Sequence, residues 1–327
     1  EPDMSTEVFG KKIKMPLFLS PVAMQRLFHH DGDKASARAA EKFDTFYSMS
    51  TMATSSIEEI ANTSGGPKMF QIYIHKTKGL TDNLIDRCKS SGFNAMCLTV
   101  DTIVAGNREK DHRWGFTTPP RLTLKSLMSF ATHPIWSINY LTHEKFQLAN
   151  VSHMTKKGSS IAKGVMEYIN EQYDPAMSWK DAEYCIKRWG GPFALKGVMS
   201  VEDAKRAIDI GASAIMLSNH GGRQLDGSRS PFDQLKKIVD TVGGKIEIIV
   251  DGGIRRGTHV LKALSLGATA CSFGKGFLFA LSAGGQSGVE MILQRMKEEL
   301  RRDMILLGKK KIKDLSEDNI AFRSQGF

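Results

Sequence analysis

Short uninterrupted apolar runs punctuate the chain, separated by longer stretches of helical pattern. The runs are residues 16–21, 45–50, 68–73, 95–100, 193–198, 214–219, 247–252 and 270–274. None alternates strictly between apolar and polar residues, as a strand with one wet face does. They read as parallel strands covered on both faces. A local repeat supports this. AIDIGASAIMLSNHGG, from Ala207, and ALSLGATACSFGKG, from Ala263, share one frame, and CKSSGFNAMCLTVD, from Cys88, echoes it. Each passes from a helix end through a glycine to an apolar strand and then a polar residue. Gly92, Gly211 and Gly267 fit the left-handed position that terminates a helix. Eight such units predict a (β/α)8 TIM barrel, a fold of about 250 residues. An open doubly wound sheet is the alternative, but its Gly-x-Gly-x-x-Gly after the first strand is absent.

The chain of 327 residues exceeds the barrel's needs. The excess falls after the fourth strand, so a single domain is expected, with residues 118–180 as a loop insertion. Connections this long are usually functional. This one carries Phe130, Trp136, Tyr140 and Phe146 beside Lys125, His133, His143 and Lys145. Such a mixture either packs on the barrel or seats in a membrane interface. The GKKKIKD run from Gly308 reads as a solvated face.

Composition narrows the class. At 41% hydrophobic and 24% charged residues, the chain is no disordered, collagenous or coiled-coil sequence. No apolar run is long enough to span a membrane. Lys11, Lys12 and Lys14 interrupt any leader. The net charge of +10 favours phosphate, carboxylate or anionic-membrane partners. The basic residues are spread and not interleaved with aromatics, so nucleic acid is not expected. Cys88, Cys97, Cys185 and Cys271 form no C-x-x-C pair, which argues against a metal site and for a reducing compartment.

Barrel enzymes carry their chemistry at the C-terminal ends of the strands. Here those ends are polar. Strands seven and eight end in DGGIRRG and FGKG, at the usual phosphate site of the fold. Their glycines let backbone N–H groups approach a phosphate, and Arg255 and Lys275 add charge. Lys196 lies inside the apolar run FALKGV. It serves either as a cation beside a group that becomes anionic, such as a reduced flavin or an enolate, or as a Schiff-base lysine. The densest stretch is SNHGGRQLDG, residues 218–227. His220 is a candidate general base, Asp101 a candidate partner for its imidazole, and Arg223 a fork for a carboxylate. Arg108 is a second carboxylate binder. With Tyr73, these residues describe a site for a small hydroxy or keto acid.

At these residues the chain closely resembles the FMN-dependent L-2-hydroxy-acid oxidising family, which includes glycolate oxidase, L-lactate dehydrogenase and mandelate dehydrogenase. SNHGGRQLDG is close to its signature. SPVAMQRLFHHDGDKASARAA, SMSTMATSSIEEIA, FQIYIHK, LTVDTIVAGNRE, LKGVMSVEDA and VDGGIRRGTHVLKALSLGA extend the likeness over most of the chain. The resemblance implies FMN as cofactor, His220 as base with Asp101 as its partner, and Arg108 and Arg223 on the substrate carboxylate. It implies that Tyr73 bonds the substrate oxygen and Lys196 sits against the flavin. Pro21, Val22, Ala23, Ser50, Gln71, Thr99 and Ser218 would line the flavin. Asp251, Gly252, Gly253, Ile254 and Arg255, with Gly274 and Lys275, would hold its phosphate. The family usually has arginine at the position of Lys275, which keeps the charge and loses the fork. It also has an N-terminal segment, with a substrate-binding tyrosine, that has no counterpart here. A homotetramer is implied as well.

THPIWSINYLTHEKFQLANV, from Thr132, looks like the insertion of the membrane-associated bacterial dehydrogenases. It implies oxidation of a small L-2-hydroxy acid such as L-lactate, with electrons passed to a quinone or other membrane acceptor. It also implies a peripheral location on the inner face of the cytoplasmic membrane. Three alternatives stand beside this. They are a soluble oxidase making hydrogen peroxide, a phosphosugar isomerase or aldolase using Lys196 covalently, and a non-catalytic flavin-binding remnant. The side chain of the acid is not fixed by these motifs; Met52 and the insertion are expected to shape its pocket.

Overall fold

The computed structural model describes residues 1–77, 79–109, 113, 123–151 and 172–322. A hairpin opens the chain, β1 (Thr6–Val8) antiparallel to β2 (Lys11–Ile13). Eight parallel strands follow: β3 (Leu17–Leu19), β4 (Tyr47–Ser50), β5 (Lys68–Ile72), β6 (Ala95–Thr99), β7 (Phe193–Lys196), β8 (Ala214–Leu217), β9 (Glu247–Asp251) and β10 (Ala270–Phe273). They close in the order β10-β3-β4-β5-β6-β7-β8-β9, a TIM barrel. The helices packed around or beside it are α1 (Gly32–Lys42), α2 (Ile57–Thr63), α3 (Leu80–Ser90), α4 (Leu124–Thr132), α5 (Pro134–Thr142), α6 (Trp179–Trp189), α7 (Val201–Asp209), α8 (Pro231–Val242), α9 (Gly257–Ser265) and α10 (Lys275–Leu306).

Every apolar run of the sequence contains one barrel strand. Within the runs, the strand period of two is present but hidden, because both faces are apolar. Met69, Ala95, Cys97, Ala194, Ala214, Met216, Ile249 and Ala270 share the barrel interior. Phe70, Met96, Leu98, Leu195, Ile215, Leu217, Ile248, Val250 and Cys271 pack outward with the helices. Continuing the inward phase to the C-terminal rim reaches Ser20, Ser50, Gln71, Thr99, Lys196, Ser218, Asp251 and Ser272, all buried. The barrel is apolar below and polar at its mouth.

The repeat seen in sequence is a helix stop. Gly92, Gly211 and Gly267 have φ of +70°, +85° and +93°. After each, the chain makes the same pair of bonds, such as Phe93 N–H to Cys88 O at 3.0 Å and Gly92 N–H to Lys89 O at 3.1 Å. These satisfy helix carbonyls and turn the backbone into the next strand.

The hairpin, whose three-residue strands are too short to show a period, closes the opposite end. Val8, Phe9 and Ile13 enter the interior cluster beside Phe18 and Phe46. The Phe9 ring meets Phe46 edge-on at 5.5 Å.

The insertion after barrel strand four is present, although residues 118–122 and 152–171 of the expected 118–180 lie outside the described residues. Of the two roles expected for its aromatics, three of the four take the packing one. Trp136 stacks between Phe130 and Tyr140, at 5.7 and 5.1 Å, and donates from Nε1 to Leu27 O at 3.1 Å. Phe146 is buried with Met52, Leu80, Leu148, Val151 and Tyr173. Glu144 pairs with the buried Arg26 and with Lys34. Trp136, Tyr140 and Phe146 therefore hold the insertion to the barrel, while Phe130, 38% exposed, stacks on Trp136 from the solvent side. The outward face of α4 and α5 is aliphatic instead: Leu124, Ile135 and Leu141 are 83%, 78% and 80% exposed, with Leu127, Met128 and Ile138 among them.

Candidate active site

Lys196 ends β7 with its ammonium inside the barrel mouth. Nζ lies 2.7 Å from Asp251 Oδ2 and 3.1 Å from Ser218 Oγ. Asp251 also accepts hydrogen bonds from Ser218 (2.9 Å), Ser272 (2.8 Å) and Ser20 (2.5 Å). Three serines and one lysine thus satisfy a buried carboxylate. Burial pushes Asp251 up, but the charge and hydrogen bond of Lys196 and the serine hydroxyls hold it down at about 2. Burial pushes Lys196 down, but Asp251 and Asp101 outweigh this and raise it above the ordinary lysine range. A Schiff-base lysine needs the opposite, a neutral amine within reach of neutral pH. The aldolase alternative is therefore not supported.

Ser218 links this pair to His220, whose backbone N–H donates to Ser218 Oγ at 3.1 Å. His220 takes a left-handed φ of +56°, unusual for a residue with a side chain, and Gly221 and Gly222 continue the turn. Its Nδ1 lies 3.1 and 3.3 Å from the two oxygens of Asp101 and 3.3 Å from Thr102 Oγ1. Burial pushes Asp101 up, but the hydrogen bond and charge of His220, with Lys196, hold it below the usual carboxylate range. The sequence-expected pair is thus assembled, with Nδ1 turned to the carboxylate.

The loops after β6 and β8 that carry Arg108 and Arg223 are in direct contact. A Cβ on Gly106 would strike Arg223 O at 2.2 Å. Gln224 Nε2 donates to Asp101 O (3.2 Å) and Val104 O (3.0 Å). Both arginines are half-buried. Tyr73, at the tip of β5, stands within the field of Lys196, Asp101 and Arg108, and burial pushes its phenol up.

Around the same rim, Ser50 Oγ donates to Gln71 Oε1 at 3.3 Å and Thr99 is buried. Pro21, Val22 and Ala23 follow β3, and Val22 lies 3.3 Å from where a Gly274 Cβ would be. Gly252 and Gly253 take φ of +140° and +73°. His259 Nδ1 accepts from Arg255 N–H at 3.3 Å, closing this loop. Ile254 is buried in the core, so only its backbone faces the loop. Lys275 opens α10, whose first turn holds no acidic residue, and its Nζ donates to Gly221 O at 2.9 Å. These groups fit FMN: a glycine loop, a helix N-terminus and two cations for one phosphate, with a buried cation at the barrel axis. Asp251 differs from the other expected phosphate residues, since its carboxylate is turned to Lys196.

Sequence reading did not single out Ser20, Ser272, Thr102, Gly197 or Gln224. The serines carried a signal, being polar residues in or just after apolar strands. A second buried group supports the site from behind: Asp33 accepts from Tyr47 Oη (2.8 Å), Thr54 N–H (2.8 Å) and Thr54 Oγ1 (2.5 Å), joining α1 to the loop after β4.

A closed barrel with a glycine loop, a buried cation and a histidine–aspartate pair at its mouth has the make-up of an enzyme. A family model described as FMN-dependent dehydrogenase matches residues 1–322, and the chain belongs to that family. It is an FMN-dependent 2-hydroxy-acid oxidoreductase. It is 39% identical to an L-lactate oxidase from a Nostoc species over 96% of this chain and 81% of that protein. It is 37% identical to an L-lactate dehydrogenase from Vibrio parahaemolyticus over 97% of this chain and 83% of that one. Among solved structures it resembles the monotopic membrane protein (S)-mandelate dehydrogenase, with a TM-score of 0.92 and 32% identity, covering 98% of this chain and 84% of that one. No helix among the described residues is long and apolar enough to cross a membrane.

Proposed function

We propose that the chain oxidises a small L-2-hydroxy acid, L-lactate first, to the 2-keto acid, and passes the electrons to a quinone at a membrane surface. The chemical reading rests on the His220–Asp101 pair set beside the Lys196–Asp251 pair. Oxidation removes two electrons and two protons from the acid. Bound FMN supplies the two-electron acceptor. His220 takes one proton at Nε2, because Nδ1 is turned to Asp101, and the carboxylate stabilises the resulting imidazolium; the second proton would leave with the electron pair to the bound cofactor. Arg108 and Arg223 hold the substrate carboxylate from two touching loops, and Tyr73 donates to its oxygen. Lys196 keeps a positive charge beside the cofactor, held there by Asp251. Pro21 to Ala23, Ser50, Gln71, Thr99 and Ser218 line the flavin. The backbone of residues 252–255, with Gly274 and Lys275, takes the phosphate.

The acceptor reading rests on the aliphatic face of α4 and α5. Six exposed aliphatic side chains on two adjoining helices form an apolar surface of the sort that enters a lipid interface. A chain of net charge +10 adds attraction to anionic lipid. This supports a peripheral location on the inner face of the cytoplasmic membrane. Docking there brings the reduced cofactor near the quinone pool.

The test has two arms. Anaerobic bleaching of the flavin is measured with L-lactate, D-lactate, glycolate and L-mandelate; L-lactate should bleach fastest, and no bleaching by any would reject the chemistry. Cosedimentation with phosphatidylglycerol vesicles is compared with a Leu124→Ser/Ile135→Ser/Leu141→Ser variant. Fast reoxidation by oxygen, without vesicle binding by the unaltered protein, would leave a soluble oxidase instead.

A further inference from the structure

The chain leaves β6 in a loop without regular structure over residues 100–108. Asp101 stands near its start and Arg108 at its end. Such a loop keeps one shape only where its backbone polar groups find partners. Two of its carbonyls, those of Asp101 and Val104, accept from a single side chain: Gln224 Nε2 lies 3.2 and 3.0 Å from them. Gln224 directly follows Arg223 in the loop after β8. One amide therefore ties the backbone of the catalytic carboxylate to the loop that carries His220 and Arg223.

The two loops are also close on the other side of this amide. A Cβ on Gly106 would lie 2.8 Å from Gln224 Cα and 3.0 Å from its Oε1, besides striking Arg223 O. Gln224 Oε1 is buried and has no hydrogen-bond partner among the described residues. Burying an unpaired amide oxygen is unfavourable. A side chain present only to fill space would carry no such oxygen, so the two N–H bonds are what the amide contributes. Its orientation is fixed as well, because turned over it would set its oxygen against two carbonyl oxygens.

We infer that Gln224 is a positioning residue for carboxylate recognition: by clamping the backbone of residues 101–104 it sets where Arg108, further along that loop, stands relative to Arg223. This rests on the proposed acid site and deepens it. Guanidinium groups read a carboxylate by direction as well as by charge. Their relative placement therefore decides how well an acid is told from its uncharged amide.

The experiment uses two FMN-loaded variants. Gln224→Met keeps the length of the side chain and removes both N–H donors. Gly106→Ala leaves Gln224 in place and forces the two loops apart. Two ratios are measured: kcat/KM for L-lactate over L-lactamide, and Kd for pyruvamide over pyruvate, read from the flavin absorbance. Each should fall by roughly tenfold or more in both variants, the scale of about an ångström of misplacement. FMN affinity should stay near the parent value. A merely structural part would lower resistance to denaturant and leave both ratios at the parent values, and that result would overturn the assignment. Hydrogen exchange over residues 102–108 gives a readout independent of turnover. It should quicken in Gln224→Met by roughly tenfold or more, with the barrel strands unchanged. If the parent tells neither acid from its amide, the proposed acid site fails by itself. The exchange rates then still decide whether Gln224 holds the loop, and unchanged exchange would overturn the clamp.

Discussion

Gly197 leaves open the space that Asp101 occupies. A Cβ on Gly197 would lie 2.8 Å from both Cβ and Cγ of Asp101, and its φ of +106° is one that side chains disfavour. Gly197 directly follows Lys196. The strand that delivers the buried cation therefore also makes room for the carboxylate that meets His220. Gly197→Ala should move Asp101 and misplace the imidazole. We expect kcat to fall by roughly 10- to 100-fold, the cost of about an ångström of misplacement, with FMN content unchanged. Steady-state kinetics and the flavin-to-protein ratio check this; parent-like kcat would show that Asp101 does not set the geometry of His220.

His220→Gln removes the base while keeping a polar side chain. The rate of flavin reduction should fall by roughly 10²–10⁴, the contribution of general acid–base catalysis. Asp101→Asn should fall less, because the imidazole remains but loses its charged partner. FMN affinity should stay near the parent value in both, since neither side chain lies in the phosphate loop. Stopped-flow reduction and flavin titration measure the two quantities separately.

Much of this was legible in sequence, for a physical reason. Parallel barrel strands are apolar on both faces, so they stand out as runs, and helix stops that need a left-handed residue show as repeated glycines, as at Gly92, Gly211 and Gly267. The polar rim followed once the fold was known, because strand ends are fixed by the runs. What escaped was set by contact across the chain. Gly197 looks like any glycine after a strand until Asp101 is seen beside it. Ser20 and Ser272 acquire meaning only with Asp251 between them. The insertion was read correctly as amphipathic, but composition could not say which face it turns to the barrel; the Trp136 bond to Leu27 decides that.

The Lys196–Asp251 pair separates stability from catalysis. Removing one partner of a buried pair leaves an uncompensated charge and costs about 3–5 kcal/mol. Lys196→Met alone should therefore lower both stability and activity. The double variant Lys196→Met/Asp251→Asn removes both charges and should recover most of the stability, because an amide can still bond the surrounding serines. Its activity should stay low, since the cation beside the cofactor is gone. Chemical denaturation and flavin reduction rates on the two variants make the comparison. Recovery of activity in the double variant would assign Lys196 a purely structural part.

His75 gives the fold a dependence on pH that is independent of the chemistry. It is buried, with Nδ1 3.1 Å from Thr81 Oγ1. Burial lowers it from 6.5 to about 4. The folded chain thus favours the neutral ring, while the unfolded chain takes up a proton below 6.5. The associated stability is complete above that value and is lost as pH falls toward 4. The difference between the two values amounts to about 3 kcal/mol in all, of which about 2 to 3 kcal/mol is lost by pH 4.5. Burial shifts His29 and His30 in the same direction, so they add to the loss. Asp251, held at about 2, contributes little across this window, because its carboxylate stays mostly ionised in the folded and the unfolded chain alike until pH falls into the usual carboxylate range. His75→Asn keeps a polar group toward Thr81 and removes the titration. The FMN-saturated parent should lose more stability between pH 7 and 4.5 than the variant, by about 2 kcal/mol in denaturant unfolding. Equal losses would mean that water reaches the ring and that the segment around His75 opens before the barrel does.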